Sequence, residues 1–278
     1  MGQSVGGQAH RGCSFHLDAV TPRRGIVNLL RTFAVWHTRR MKTLTSPNRY
    51  KNHRFPAEII SHGVWLYFRF CLSYRDVEEL LFVRGVIVSY EAIRKWCRKF
   101  GQAYANQLRH RHPRPGDKWH LDEVFLTIHG KRHYLWRAVD QDGKVLDILV
   151  QHRRDKHAAK KFFRKLLKGL AYVPRVLITD KLKSYGAAKR ELLPGVEHRQ
   201  HRYLNNRAEN SHQPTRQRER RMQGFKSPGH AQRFLAAYGP IAQHFRPRRH
   251  LLPAPQYRQE MEKRFHTWQE ITRLQTAA

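Results

Sequence analysis

The spacing of apolar positions changes twice along the chain. Over residues 58–101 it is helical: within Tyr74–Phe82, Val77, Leu80 and Leu81 fall at i, i+3 and i+4 and make one face. Gly85 then ends the run, where a residue free to take a positive φ is useful. Ser89 caps a second helix, expected to bury Ala92, Ile93, Trp96 and Phe100 and to show Arg94, Lys95, Arg98 and Lys99 to solvent. An upstream helix over residues 58–70 completes a three-helix core. Two short helices, a glycine turn and a basic second helix fit a helix-turn-helix, the plainer alternative being a helical hairpin with a solvated charged face.

After residue 117 the spacing turns to that of strands. Residues 119–128 and 133–139 are rich in β formers around Gly130, and Asp140-Gln141-Asp142-Gly143 signals a turn before a third strand over 145–150. Asp155 caps a helix with Ala158, Ala159, Phe162, Phe163, Leu166, Leu167 and Leu170 on one broad face. Pro174 breaks it, and Val176–Thr179 is a short apolar strand ending at Asp180. A three-strand meander, a crossover helix and a buried strand describe an α/β layered sheet. A helix near 183–191 and a short link around 196–199 follow. Asn205 and Asn206 start the next helix, which Pro214 is expected to kink or interrupt. An amphipathic helix spans 231–245, and Pro247, Pro253 and Pro255 mark a tail ending in a short helical pattern.

The remaining segments set the boundaries. Residues 1–40 are glycine-rich at the start and lack a periodic apolar face, so they read as a loose extension, with Met41 an alternative start of translation. Residues 102–117 carry Arg109, His110, Arg111, His112, Pro113, Arg114 and Pro115, a basic, proline-punctuated linker suited to phosphate. The expected organisation is therefore 1–40 extension, 41–101 helix-turn-helix domain, 102–117 linker, 118–246 α/β domain and 247–278 tail.

Charge narrows the function. Lys plus Arg number 54 against 21 Asp plus Glu, a formal net charge of +33, which points to a polyanionic partner. An apolar content of 40% with six Trp is too high for a disordered basic tail, so the chain folds. Cys13, Cys71 and Cys97 form no CxxC pair, which disfavours a disulfide framework and a zinc ribbon. No apolar run approaches the ~20 residues of a membrane span. The early residues are interrupted by Arg11, Asp18, Arg23 and Arg24, unlike a signal peptide. The expected location is the cytoplasm, in association with the nucleoid, and no membrane partner is expected.

Acids are scarce, so each one set among bases needs a reason. Asp122 interrupts an apolar strand, which is costly unless the carboxylate is paired or holds a metal. Asp180 ends the buried strand, at the edge where open α/β sheets bind ligands. Glu209 lies on a helix able to pack back over the sheet. Three such carboxylates can hold two divalent cations ~3.5–4 Å apart, the arrangement that serves phosphoryl transfer, and oxygen ligands favour Mg²⁺ over zinc. The plainer readings are a surface Asp122, an Asp180 that caps the following helix, and a Glu209 paired with Arg207 or Arg216. Glu123, Asp140, Asp142 and Asp147 read as turn or surface acids. His120, His198, His201 and His212 invite a metal reading, but His198 and His201 lie beside Arg199 and Arg202 and suit phosphate better.

The runs Trp119-His120-Leu121-Asp122-Glu123, Val176-Leu177-Ile178-Thr179-Asp180 and Leu204-Asn205-Asn206-Arg207-Ala208-Glu209-Asn210 resemble those of bacterial DDE transposases of the insertion-sequence-six family, over residues 44–246. The resemblance implies an RNase H-like catalytic domain, a mixed sheet with flanking helices, after an all-α helix-turn-helix domain. It implies Asp122, Asp180 and Glu209 as the metal-binding catalytic triad, with Mg²⁺ (Mn²⁺ as a substitute), and Arg216 as the basic position after the glutamate that meets DNA near the cut. Arg94, Lys95, Arg98, Lys181, Lys183, Arg207 and Arg220 are the other bases expected on DNA. The implied reaction frees a 3′-hydroxyl with water and joins it to target DNA without a covalent protein intermediate. Cointegrate products and a homodimer or larger assembly on paired double-stranded element ends are also implied. The rivals are a non-catalytic helix-turn-helix regulator, and a nucleoid or ribosomal protein that would explain the charge alone. Neither needs the three acids.

Overall fold

The computed structural model describes residues 49–111, 116–201, 203–247 and 249–272, all within one compact unit, Ser46–Ala278. The expected N-terminal extension, Met41 and Cys13 lie outside the described residues.

Three helices open the described chain. Helix α1 spans Ala57–Arg69, α2 Tyr74–Phe82 and α3 Tyr90–Arg111. Helix α2 starts in a reciprocal cap: the Ser73 hydroxyl accepts from Asp76 N at 3.1 Å, and the Asp76 carboxylate accepts from Ser73 N at 2.7 Å. Gly85 then takes φ +76° in the turn, and Ser89 Oγ accepts from Ala92 N at 3.4 Å at the start of α3. Ile93, Trp96 and Phe100 are buried as expected, with Cys97 joining them, while Ala92 is half-buried. Helix α3 does not stop at Gly101. It continues to Arg111, burying Tyr104, Ala105 and Leu108, because the apolar spacing carries on beneath the basic residues. Most of the segment expected to be a linker is thus the end of a helix. At Gly101 a methyl group would sit 2.7 Å from a Phe68 ring carbon, so glycine lets α1 and α3 approach.

The sheet has five strands: β1 Lys118–Ile128, β2 Lys131–Asp140, β3 Val145–Gln151, β4 Val176–Thr179 and β5 Glu197–Gln200, in the order β3-β2-β1-β4-β5. Strands β1, β2 and β3 pair antiparallel, while β4 lies parallel to β1 and β5 parallel to β4. His129 at φ 49° and Gly130 at φ 73° make the two-residue hairpin between β1 and β2, whose positive φ values match strand twist. Helix α4, Lys156–Leu170, is capped by Asp155, whose Oδ1 accepts from Ala158 N at 2.8 Å; α5 is Lys183–Leu192. This mixed sheet with flanking helices is the RNase H-like architecture that the motifs implied. The segment near 196–199, expected as a link, is strand β5. Its residues are polar and mostly exposed, so only pairing with β4 reveals it.

Both faces of the sheet are covered. Trp119 and Leu121 of β1, with Trp136 and Ala138 of β2, pack under α4 and α5. Val124, Leu126 and Ile128 point the other way, as the two-residue period of a strand requires, into a core shared with α1, α2 and α3. Helices α7, Pro228–His244, and α8, Ala254–Thr272, complete that second layer. Helix α8 is longer than the short pattern expected of the tail, and it buries Trp268 and Ile271. Helix α6, Asn206–Arg221, runs through Pro214 without interruption. Proline there removes one backbone donor, and neighbouring contacts, among them Tyr238 Oη donating to the Pro214 carbonyl at 3.3 Å, hold the helix.

Candidate active site

The parallel register of β1 and β4 places Leu121 opposite Thr179. The next residues on the two strands, Asp122 and Asp180, therefore emerge side by side where β4 ends. Asp180 Oδ1 accepts from Leu182 N at 3.0 Å, which fixes the turn into α5. Asp122, Glu123 and Asp180 each bring one oxygen to within 4.8 Å of the others, the cluster suited to a metal ion among the described residues.

Burial and the neighbouring Asp180 carboxylate push Asp122 up to about 6. Burial also raises Glu123 to about 7, against the opposing pull of Tyr185 and Arg154. Glu123, expected as a surface or turn acid, has a side chain only 1% exposed. It accepts from Tyr185 Oη at 2.6 Å and from Arg154 Nε at 2.5 Å. Sequence alone could not show this, because its partners come from α5 and from the loop before α4. Arg154 also reaches Asp180, 3.6 Å away. Burial disfavours the negative form of Asp122 and Glu123, and with Asp180 they make a donor set of hard oxygens that fits a divalent cation.

Helix α6 is tied across the sheet at three points. Asn205 Nδ2 donates to the Leu121 carbonyl at 2.8 Å rather than capping the helix, as its place in the sequence suggests. Arg137, opposite Asp122 on β2, is buried and donates to the Ser211 carbonyl and to Thr215 Oγ1. Burial lowers its pKa to about 10. Glu209 is exposed in the first turn of α6 and is not one of the three clustered acids. One turn on, buried His212 sets Nε2 3.4 Å from Asp122 Oδ2.

Residues 116–248 match a family described as a DDE domain. The chain is 31% identical over 185 residues to the transposase for the insertion sequence-like element IS431mec of Staphylococcus aureus (strain Mu50 / ATCC 700699), covering 65% of this chain and 82% of the relative. This chain belongs to the insertion-sequence-six family of DDE transposases. The transposase for insertion sequence element IS257 in transposon Tn4003 of Staphylococcus aureus matches at the same identity and coverage. Among solved structures, the HTLV-2 integrase catalytic core domain in complex with magnesium is similar, with TM-score 0.34 and 13% identity, over 49% of this chain and 88% of that one.

A DDE transposase is a metal-dependent enzyme that cleaves DNA, and the non-catalytic regulator is not favoured. Among the bases expected on DNA in this transposase, Arg94, Lys95, Arg98, Lys181, Lys183, Arg207, Arg216 and Arg220 are all exposed. Arg94 is paired with Glu91 at 2.5 Å, and Arg207 donates to the Gln141 carbonyl. Arg218, from the same arginine-rich run, is instead buried. Its guanidinium donates to the carbonyls of Phe70 and Leu72 at 3.1 and 2.9 Å and lies 4.5 Å from the Tyr67 ring centre. His198 Nε2 meets Thr179 Oγ1 at 2.9 Å, and burial lowers the pKa of both His198 and His120. No helix among the described residues is long and apolar enough to cross a membrane.

Proposed function

We propose that Asp122, Asp180 and Glu209 are the acids that hold Mg²⁺, with Mn²⁺ able to replace it, during strand cleavage and strand transfer at the ends of an insertion sequence. The observation carrying this reading is the emergence of the Asp122 and Asp180 carboxylates side by side from adjacent parallel strands. Glu209 comes from α6, which Asn205 and Arg137 fasten over β1 and β2.

When bound, the divalent ions polarise the phosphate and ease deprotonation of the attacking hydroxyl. The strands keep the two aspartates in place, so little ordering is left for the moment of reaction. Water attacks phosphorus at the element end and frees a 3′-hydroxyl. That hydroxyl then attacks a target phosphate, whose own 3′ oxygen leaves. Arg216, two helical turns beyond Glu209, and Arg220, one turn further, hold the DNA backbone near the cut. Lys181, Lys183 and Arg207 add phosphate contacts beside Asp180 and Glu209.

Helices α2 and α3 serve as the helix-turn-helix that binds element ends, with Arg94, Lys95 and Arg98 meeting phosphates or base edges. The chain acts as a homodimer or larger assembly on paired ends, at the nucleoid, and yields cointegrates. The test is a strand-transfer assay with Mg²⁺ and DNA carrying the element's own ends. Wild type is expected to join strands, while Asp122→Asn, Asp180→Asn and Glu209→Gln retain DNA affinity and join none. A Glu209→Gln protein with full joining activity would remove Glu209 from the set.

A further inference from the structure

We propose that His212 is a positioning residue that holds the carboxylate of Asp122 from the helix side. The inference rests on the reading of Asp122 as a metal-holding acid. The His212 side chain is 4% exposed, and among the described residues neither ring nitrogen has a hydrogen-bond partner. A buried imidazole without partners is costly, and such orphaned groups call for an explanation. The polar group it approaches is Asp122, whose Oδ2 is 3.4 Å from Nε2, slightly longer than a good hydrogen bond.

The surrounding contacts fix where the ring sits. Arg137 donates to the Ser211 carbonyl and to Thr215 Oγ1, which flank His212 on α6. Helix rotation about the sheet is thereby set, and the imidazole faces Asp122. A neutral ring suffices, since one nitrogen donates to the carboxylate without any change of charge. Direct metal ligation fits less well, because Nε2 faces Asp122 Oδ2 itself, where a donor to the carboxylate belongs. A carboxylate that gives one oxygen to a metal is oriented by a donor on the other, and losing such a partner weakens metal affinity by about 10–100-fold.

The test is Mn²⁺ binding to the full-length protein, read from loss of the free-ion EPR signal. Methionine and glutamine have nearly the same shape, but only glutamine carries an N–H donor. His212→Met is expected to bind Mn²⁺ at least about tenfold more weakly than wild type, and His212→Gln to recover most of the loss. Both should keep the far-UV spectrum and DNA affinity of wild type. Equal affinities for the folded Met and Gln variants, whether both weak or both normal, would overturn the inference. So would ¹⁴N modulation in the Mn²⁺ echo spectrum of wild type that His212→Gln abolishes, since that would make the imidazole a ligand. Wild-type protein that binds no Mn²⁺, or Asp122→Asn protein that binds it normally, would sink the reading of Asp122 and this inference with it.

Discussion

Asp122 and Glu123 are neighbours on one strand, yet they face opposite layers and meet opposite treatment. Glu123 turns toward α4 and α5, where Tyr185 and Arg154 supply short hydrogen bonds to its 1%-exposed carboxylate. Asp122 turns toward α6, where burial and Asp180 oppose its charge, the Glu123 backbone and the charges of Arg154 and Arg137 favour its carboxylate, and His212 approaches it loosely. Both carboxylates belong to the cluster with Asp180, but side-chain hydrogen bonds hold Glu123 in place, while the nearest side-chain donor to Asp122 stands 3.4 Å away. Burial points the same way, since the Asp122 side chain is 15% exposed against 1% for Glu123.

Paired substitutions sharpen this contrast. The largest effect is expected in the joining assay: Asp122→Asn falls below detection, while Glu123→Gln, which keeps an acceptor for Tyr185, retains measurable joining. Equal loss in the two variants would erase the distinction. In urea unfolding the order reverses. Glu123→Leu leaves the buried Tyr185 hydroxyl without its acceptor and should lose about 1–3 kcal/mol, whereas Asp122→Asn removes one of two repelling charges and should unfold at no lower urea concentration.

Away from the acids, Gly101→Ala forces the Phe68 ring aside and should cost about 1–3 kcal/mol. Because α1 and α3 share their core with the sheet, the loss should appear as one transition rather than two. Replacing Arg94, Lys95 and Arg98 together by alanine should weaken binding to element ends and flatten its salt dependence, by about 0.9 for each phosphate no longer neutralised. An unchanged slope would make α3 a purely structural helix. The smallest effect belongs to Asp142→Asn, in the exposed turn between β2 and β3, which should leave both joining and stability as in wild type.

The central strands were legible because their signals are local. Alternating β formers on either side of Gly130, and the β-forming run Val176-Leu177-Ile178-Thr179 before Asp180, need no tertiary knowledge. Asp122 within one apolar strand and Asp180 at the end of another stand out as misplaced acids, and the structure brings them together. Strand β5 was hidden because Glu197, His198, Arg199 and Gln200 are polar and the strand sits at an edge, held by main-chain bonds to β4. Glu123 passes for a surface acid because its partners lie 31 and 62 residues away in sequence. Arg218 likewise resembles its exposed neighbours until the Phe70 and Leu72 carbonyls are seen around it. Helix α3 overran its expected end because basic side chains masked an apolar stripe that continues to Leu108.

Arg218 also bears on how this transposase could be re-engineered. Helix α6 is a strut: Asn205 and Arg137 pin it to the sheet, and Arg218 plugs its far end into the corner between α1 and α2. Swapping the whole helical layer for one from another element would strand a buried guanidinium, a far heavier penalty than any surface change. On the proposed reading of α3 as the helix that meets element ends, exchanging side chains on its outer face would leave the strut seated.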